Sequence, residues 1–242
     1  MLSQLIPLLR GLGDLLFPPI CVHCRAALPG GDYRHLCPRC ARQIAWVASP
    51  CCETCGHPFD GAVRGARGCP HCLALAPVFG HGRAAVVLRG PARTLLLELK
   101  YHRGGHVLED IETIFRRSEL IQDHVRGGIL VPVPLHARRQ RERGFNQSAL
   151  LARALARAAA VPWRPLLRRV ADTPSQTAFD RRRRQANLKN AFALAPGAAL
   201  NPQQRYILVD DVFTTGSTLN SCARALRRAG GELIDVVVFA HG

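Results

Sequence analysis

Four C-x-x-C knuckles punctuate the first third of this 242-residue chain, at Cys21/Cys24, Cys37/Cys40, Cys52/Cys55 and Cys69/Cys72. They constrain the fold more than any other feature, because the residues around them lack the hydrophobic density for a core of their own. Each knuckle supplies two thiolates at a separation suited to one tetrahedral Zn²⁺, so the set suits two structural zinc ions. The near-equal loops 25–36 and 56–68 suggest two ribbons in tandem with sequential pairing of the knuckles; a cross-braced pairing is the alternative. His23, His35, His57 and His71 are read as neighbours rather than ligands. Disulfides would require an oxidising compartment, for which the sequence shows no export route. Redox chemistry would require a thioredoxin-like unit beside the knuckles. Cys51 and Cys222 are left over, the second on the apolar face of a helix.

The apolar run 2–9 at the start is too short to span a bilayer. Arg10 and Asp14 interrupt it, and no basic region precedes it. Leu5, Leu8, Leu9, Leu12, Leu15 and Leu16 make one helical stripe, with Pro7 in a tolerable first turn, so a docking helix is expected. The expectation is therefore a cytoplasmic chain without a transmembrane segment. It has three parts: an amphipathic helix over 1–20, a metal-dependent double ribbon over 21–77, and one α/β domain over 78–242, with the boundary near Pro77.

Beyond that boundary, strand-like runs alternate with helical patterns. Strands are expected at 83–88, 129–133, 192–194, 206–209 and 233–239, and helices at 91–100, 107–115, 148–160 and after residue 218. Such alternation predicts a mostly parallel sheet, with ligands at the carboxyl ends of the strands.

The stretch 207–219 reads ILVDDVFTTGSTL. An apolar strand runs into Asp210 and Asp211, then into a turn of Thr214, Thr215, Gly216, Ser217 and Thr218 that opens a helix. A helix amino end offers unpaired N–H groups and the positive end of its dipole, the hydroxyls add donors, and Gly216 admits close approach, so the turn suits a phosphate monoester. No lysine follows Gly216, which disfavours a nucleotide triphosphate P-loop. The two carboxylates suit sugar hydroxyls, met directly or through a magnesium shell. The segment resembles the binding motif of type I phosphoribosyltransferases, which hold phosphoribosyl pyrophosphate (PRPP) with Mg²⁺. By that resemblance Asp210 and Asp211 would take the ribose hydroxyls and residues 214–218 would wrap the 5-phosphate.

A second constellation, PVPLHARRQRERGFNQS, spans 132–148. Arg138, Arg139, Arg141 and Arg143 carry charge suited to a pyrophosphate, and Asn146, Gln147 and Ser148 cap the next helix. A solvated basic loop is the alternative. Together with the knuckles, RGFNQ after PVPLH, the LKY at 99–101, and Gln176, Thr177, Arg184, Asn187, Ala191 and Phe192, the whole chain resembles the ComF family of competence-related phosphoribosyltransferase-like proteins.

The resemblance implies a closing loop over 173–189, carrying Gln176, Arg184 and Asn187 and the charge run 181–184. It implies PRPP-dependent phosphoribosyl transfer, in which pyrophosphate leaves ribose C1 through an oxocarbenium-like transition state. Lys100 is a candidate pyrophosphate contact, no general base is evident, and the acceptor is not legible. The formal net charge of +16 supports a second reading. In it, a non-catalytic factor of DNA uptake uses the pocket for a nucleotide or DNA phosphate, with single-stranded DNA and a DNA-uptake helicase as partners.

Overall fold

The computed structural model describes residues 19–28, 30–59, 69, 72, 75–101, 105–135, 144–170 and 191–242. The expected helix over 1–20 (apart from its last two residues), His71, the arginines at 138, 139, 141 and 143, and the loop residues Gln176, Thr177, Arg184 and Asn187 lie outside them. In chain order the elements are α1 (Pro38–Ala41), β1 (Gly82–Val87), α2 (Gly90–Tyr101), a 3-10 turn (Gly105–Val107), α3 (Leu108–Arg117) and α4 (Glu119–Val125). They continue with β2 (Ile129–Pro132), α5 (Gln147–Ala159), β3 (Leu167–Arg169), β4 (Phe192–Leu194), β5 (Arg205–Phe213), α6 (Ser217–Arg228) and β6 (Leu233–His241).

Strands β1, β6, β5 and β2 pair in that order, all parallel, while β3 and β4 form a separate antiparallel pair. The chain is thus an α/β protein with a parallel sheet and a cysteine-rich amino-terminal module. The two central strands explain the sheet. Tyr206 to Val209 and Val236 to Ala240 are apolar and buried, as strands covered on both faces must be. Helices α2, α3, α4 and α5 cover one face; α6, β3 and β4 cover the other.

Both sheet edges are closed. Val47 N–H donates to the Ala85 carbonyl (3.1 Å) and Val87 N–H to the Ala45 carbonyl (2.8 Å), so the segment 45–47 lies along β1 as an added edge. At the far side, Leu130 N–H donates to the Pro162 carbonyl (2.9 Å) and Arg164 N–H to the Leu130 carbonyl (2.8 Å), which shields β2. Because the module lies along the β1 edge, its two halves fall on opposite faces. Cys21, Cys37 and Cys40 join the core under α2–α5, and Cys52, Cys55, Cys69 and Cys72 join the core under α6. The module therefore gains apolar burial from the sheet that its own composition lacks.

Two elements were not anticipated. Ser118 takes an extended conformation (φ −85°, ψ 98°), which breaks one amphipathic stretch into α3 and the short α4. Strand β3 has only Leu167 fully inward, too short for a period-2 signal. Among the described residues, no helix is long and apolar enough to cross a membrane.

Candidate functional site

Strand β5 does not end at Val209 but carries Asp210 and Asp211 within the ladder, with Asp210 beside Val238 of β6 and Phe213 beside His241. Both carboxylates are thereby fixed at the carboxyl end of the sheet, one turn before α6 begins. Ser148, in the first turn of α5, donates from Oγ to Asp210 Oδ1 (2.9 Å), and Asp211 N–H donates to the same oxygen (2.9 Å). Lys100, in the last turn of α2, forms an ion pair with Asp211. The two sequence constellations and the LKY segment therefore meet here, brought together from residues 100, 148 and 210–211.

The GFNQ segment explains how Ser148 is aimed. Asn146 takes an extended backbone and caps α5, accepting from Ser148 N–H (3.1 Å), while its Nδ2 donates to the Val133 carbonyl (3.0 Å) just past β2. Strand end, cap and carboxylate are thus one hydrogen-bonded unit. Burial first, and the neighbouring Asp211 charge second, push the Asp210 carboxyl up from 3.8 to about 7; the bonds from Asp211 N–H and Ser148 and the Lys100 charge oppose the rise. Such a shift at a strand end makes Asp210 a candidate functional residue.

After β5, Thr214 is exposed, Thr215, Ser217 and Thr218 are half-buried, and Gly216 is buried. Thr215 Oγ1 and Ser217 Oγ are 3.1 Å apart, which gathers two hydroxyls at the amino end of α6. Gly216 offers that end no side-chain cap, and Ser217 N–H donates to Thr215 Oγ1 (3.5 Å). The arrangement has the donors of an anion cradle, with an acidic pair beside it. Gly216 also has a packing role. Its φ is +68°, and a Cβ would stand 2.5 Å from Phe213 Cζ and 2.6 Å from Leu75 Cδ2, so the glycine lets protein side chains close against the turn from below.

The cysteines converge in two groups, Cys21, Cys24, Cys37 and Cys40, and Cys52, Cys55, Cys69 and Cys72, with the sulfurs of each group within 4.8 Å of one another. Four thiolates at about 2.3 Å from a tetrahedral Zn²⁺ stand about 3.8 Å apart. Cys24 and Cys37 sulfurs are 3.6 Å apart, Cys52 and Cys72 3.8 Å, and Cys55 and Cys69 3.4 Å. The donor set and spacing fit structural zinc. Burial, reinforced by neighbouring thiols, pushes the Cys40 and Cys55 thiols well above the ordinary range, so only a cation would let every member of each group ionise. The nearby histidines are engaged elsewhere: His23 Nδ1 lies 2.8 Å from Thr94 Oγ1, His35 stands beside Asp110, and the His57 ring packs on His241. Cys222 is fully buried on the inner face of α6.

A cleft of about 500 Å³ opens beside the site at the carboxyl end of β2. Phe145, Trp163, Arg153, Arg168 and Arg169 line it, with no carboxylate among the described lining residues, and Arg153 lies over the Trp163 ring at 5.0 Å. Sequence reasoning missed it, and missed the pairing of Ser148 with Asp210, since neither produces a periodic or motif-like signal.

Comparison with known proteins agrees with this geometry. A family profile described as double zinc ribbon domain matches residues 12–73, and one described as phosphoribosyl transferase domain matches residues 146–242. The chain is 33% identical to competence protein F of Haemophilus influenzae, over 89% of this chain and 94% of that protein. It is 32% identical to the DNA utilization protein YhgH of Escherichia coli strain K12, over 92% and 96%. It is also 25% identical to competence protein ComFC of Bacillus subtilis, over 87% and 79%.

Proposed function

Because this chain belongs to the competence protein F family, we propose that it serves DNA utilization through a site that binds PRPP with Mg²⁺ and transfers its phosphoribosyl group to an acceptor. The observation that carries this reading is the juxtaposition, on one strand end, of a hydroxyl-rich helix amino end and two carboxylates tied to α5 and α2. Thr215, Ser217, Thr218 and the N–H groups of α6 would hold the 5-phosphate. Asp210 and Asp211 would accept from the ribose hydroxyls, so Lys100 would leave Asp211 and turn to the pyrophosphate.

The adjacent carboxylates are hard oxygen donors that fit a hydrated Mg²⁺ arriving with the diphosphate. When bound, that ion neutralises charge growing on the leaving group. The chain's own residues orient the ribose and hold C1 exposed on one face. There the C1–O bond to pyrophosphate breaks as the acceptor's lone pair forms the new bond, and positioning and charge stabilisation supply the catalysis. We likewise assign each cysteine tetrad one structural Zn²⁺. The arginines at 138, 139 and 143 are proposed to neutralise the pyrophosphate, and Gln176, Arg184 and Asn187 to belong to the loop that the family resemblance places over the substrate.

Calorimetric titration of the zinc-loaded chain with Mg-PRPP tests the site. Saturable one-to-one binding, absent in an Asp210→Asn, Asp211→Asn double variant, is expected; no heat of binding in the wild type would sink the reading. The aromatic and arginine-lined cleft favours a second reading, in which single-stranded DNA stacks on Phe145 and Trp163. It predicts affinity for oligonucleotides that falls steeply with salt and drops further in Arg168→Ala, Arg169→Ala.

A further inference from the structure

The two cysteine tetrads are not equivalent. The first is tied to helices on the other face of the sheet: His23 contacts Thr94 of α2, and Asp110 of α3 accepts from Arg34 N–H (2.8 Å) and His35 N–H (2.9 Å). The second is tied to the cradle itself, from two sides. On one side, the segment that follows Cys72 meets the first turn of α6. Buried Asn220 accepts at Oδ1 from Val78 N–H (2.8 Å), and its Nδ2 donates to the carbonyls of Leu75 (3.2 Å) and Ala76 (3.3 Å). Its own N–H donates to the Gly216 carbonyl (2.8 Å), and Leu75 fills the space beneath Gly216. On the other side, His57, two residues after Cys55, packs on His241 at 4.9 Å between ring centroids. His241 in turn stacks on Phe213 at 5.3 Å, where the cradle begins.

We infer that the second tetrad is the mount of the anion cradle, with Asn220 as the positioning residue through which its bound metal and the phosphate on residues 214–218 stabilise each other. The inference rests on the PRPP reading above. Its physical content is that, among the described residues, Leu75 closes against Gly216 beside Phe213, and Asn220 ties the first turn of α6 to the same segment. If the Cys69/Cys72 knuckle loosens, Leu75 and the three hydrogen bonds of Asn220 go with it, and the cradle loses its floor. The coupling is reciprocal by thermodynamic necessity: a ligand that fixes the cradle must raise the affinity of the second tetrad for its metal by the same factor. Among the described residues, the first tetrad reaches the site only through α2, whose Thr94 meets His23 and whose Lys100 meets Asp211, and not through residues 214–218 themselves.

The test is extraction of zinc from the full, zinc-loaded chain by a chromophoric chelator, with and without saturating Mg-PRPP, with calorimetry of Mg-PRPP binding alongside. At equilibrium with the chelator, ligand is expected to raise the affinity for one zinc equivalent by about five- to a hundredfold, the usual span of site–site coupling, and to leave the other unchanged. In Asn220→Ala that protection should disappear and Mg-PRPP should bind at least about tenfold more weakly, the scale expected for three buried hydrogen bonds lost. Asp110→Asn, which loosens the first ribbon, should change neither. Mg-PRPP binding in the wild type with both zincs equally unprotected would overturn the inference and leave the PRPP reading standing. Absence of calorimetric binding would overturn that reading and the inference with it. If Asn220→Ala melts too low to assay, Leu75→Ala provides the same comparison, and retained protection in it counts against the inference.

Discussion

Replacing Asp210 with Asn should abolish ligand binding and make the protein more stable, and the size of the gain is set by the carboxyl's environment. In the folded chain, burial and then the Asp211 charge raise its pKa from 3.8 to about 7. The native state therefore binds this proton more tightly than the unfolded chain does. Stability falls as pH rises through that window, and the penalty is complete above about pH 7. The full shift would correspond to about 4 kcal/mol at 1.36 kcal/mol per unit. Partial solvent access at the strand end reduces this to roughly 2 kcal/mol. Asparagine keeps the oxygen that accepts from Ser148 and from Asp211 N–H, so little is lost in exchange. For a chain of this size, about 2 kcal/mol raises Tm by roughly 4–8 °C. Thermal melts of zinc-loaded wild type and Asp210→Asn over a series from pH 8 down to pH 5 measure it: the variant should lead at pH 8, and the lead should shrink as the pH falls. A variant no more stable than wild type at pH 8, or a lead that grows on acidification, would refute the argument.

Other expectations can be checked alongside. Gly216→Ala places a methyl against Phe213 and Leu75 at a left-handed position and should cost about 2–4 kcal/mol, read as a drop in Tm together with weakened Mg-PRPP binding. Ser148→Ala removes a donor that lowers the Asp210 pKa, so Mg-PRPP affinity should fall about five- to tenfold and the pH midpoint of binding should move upward. Denaturation in a chromophoric chelator should release two zinc equivalents per chain, and metal-free protein should lose its cooperative melt, because each tetrad is part of a sheet-face core.

The elements closest to the chemistry were the most legible in the sequence. An unbroken apolar run into two aspartates, then hydroxyls and a glycine, admits few structures other than β5, the turn and α6. Likewise the Asn146 cap on α5 follows from residue type alone. What the sequence could not convey is which distant residues meet. Lys100, Ser148 and Asp211 are joined by topology, and nothing in their local spacing shows it. The residues around the knuckles were rightly read as too poor in hydrophobics for a separate core. The remedy, lying across the β1 edge and sharing both sheet faces, depends on pairings such as Val47 with Ala85 that no period reports. Gly216 is legible in the sequence as a residue the turn needs, whereas its packing against Leu75 is not.

The central claim is that residues 214–218 hold a sugar 5-phosphate beside the Asp210–Asp211 pair. Phosphorus NMR of PRPP titrated with the zinc-loaded chain and Mg²⁺ tests it most directly. The 5-phosphate resonance should shift saturably at one equivalent of protein, and the shift should vanish in Thr215→Val, Ser217→Ala. A 5-phosphate resonance that stays in place while the diphosphate resonances move, or a spectrum unchanged throughout, would contradict it.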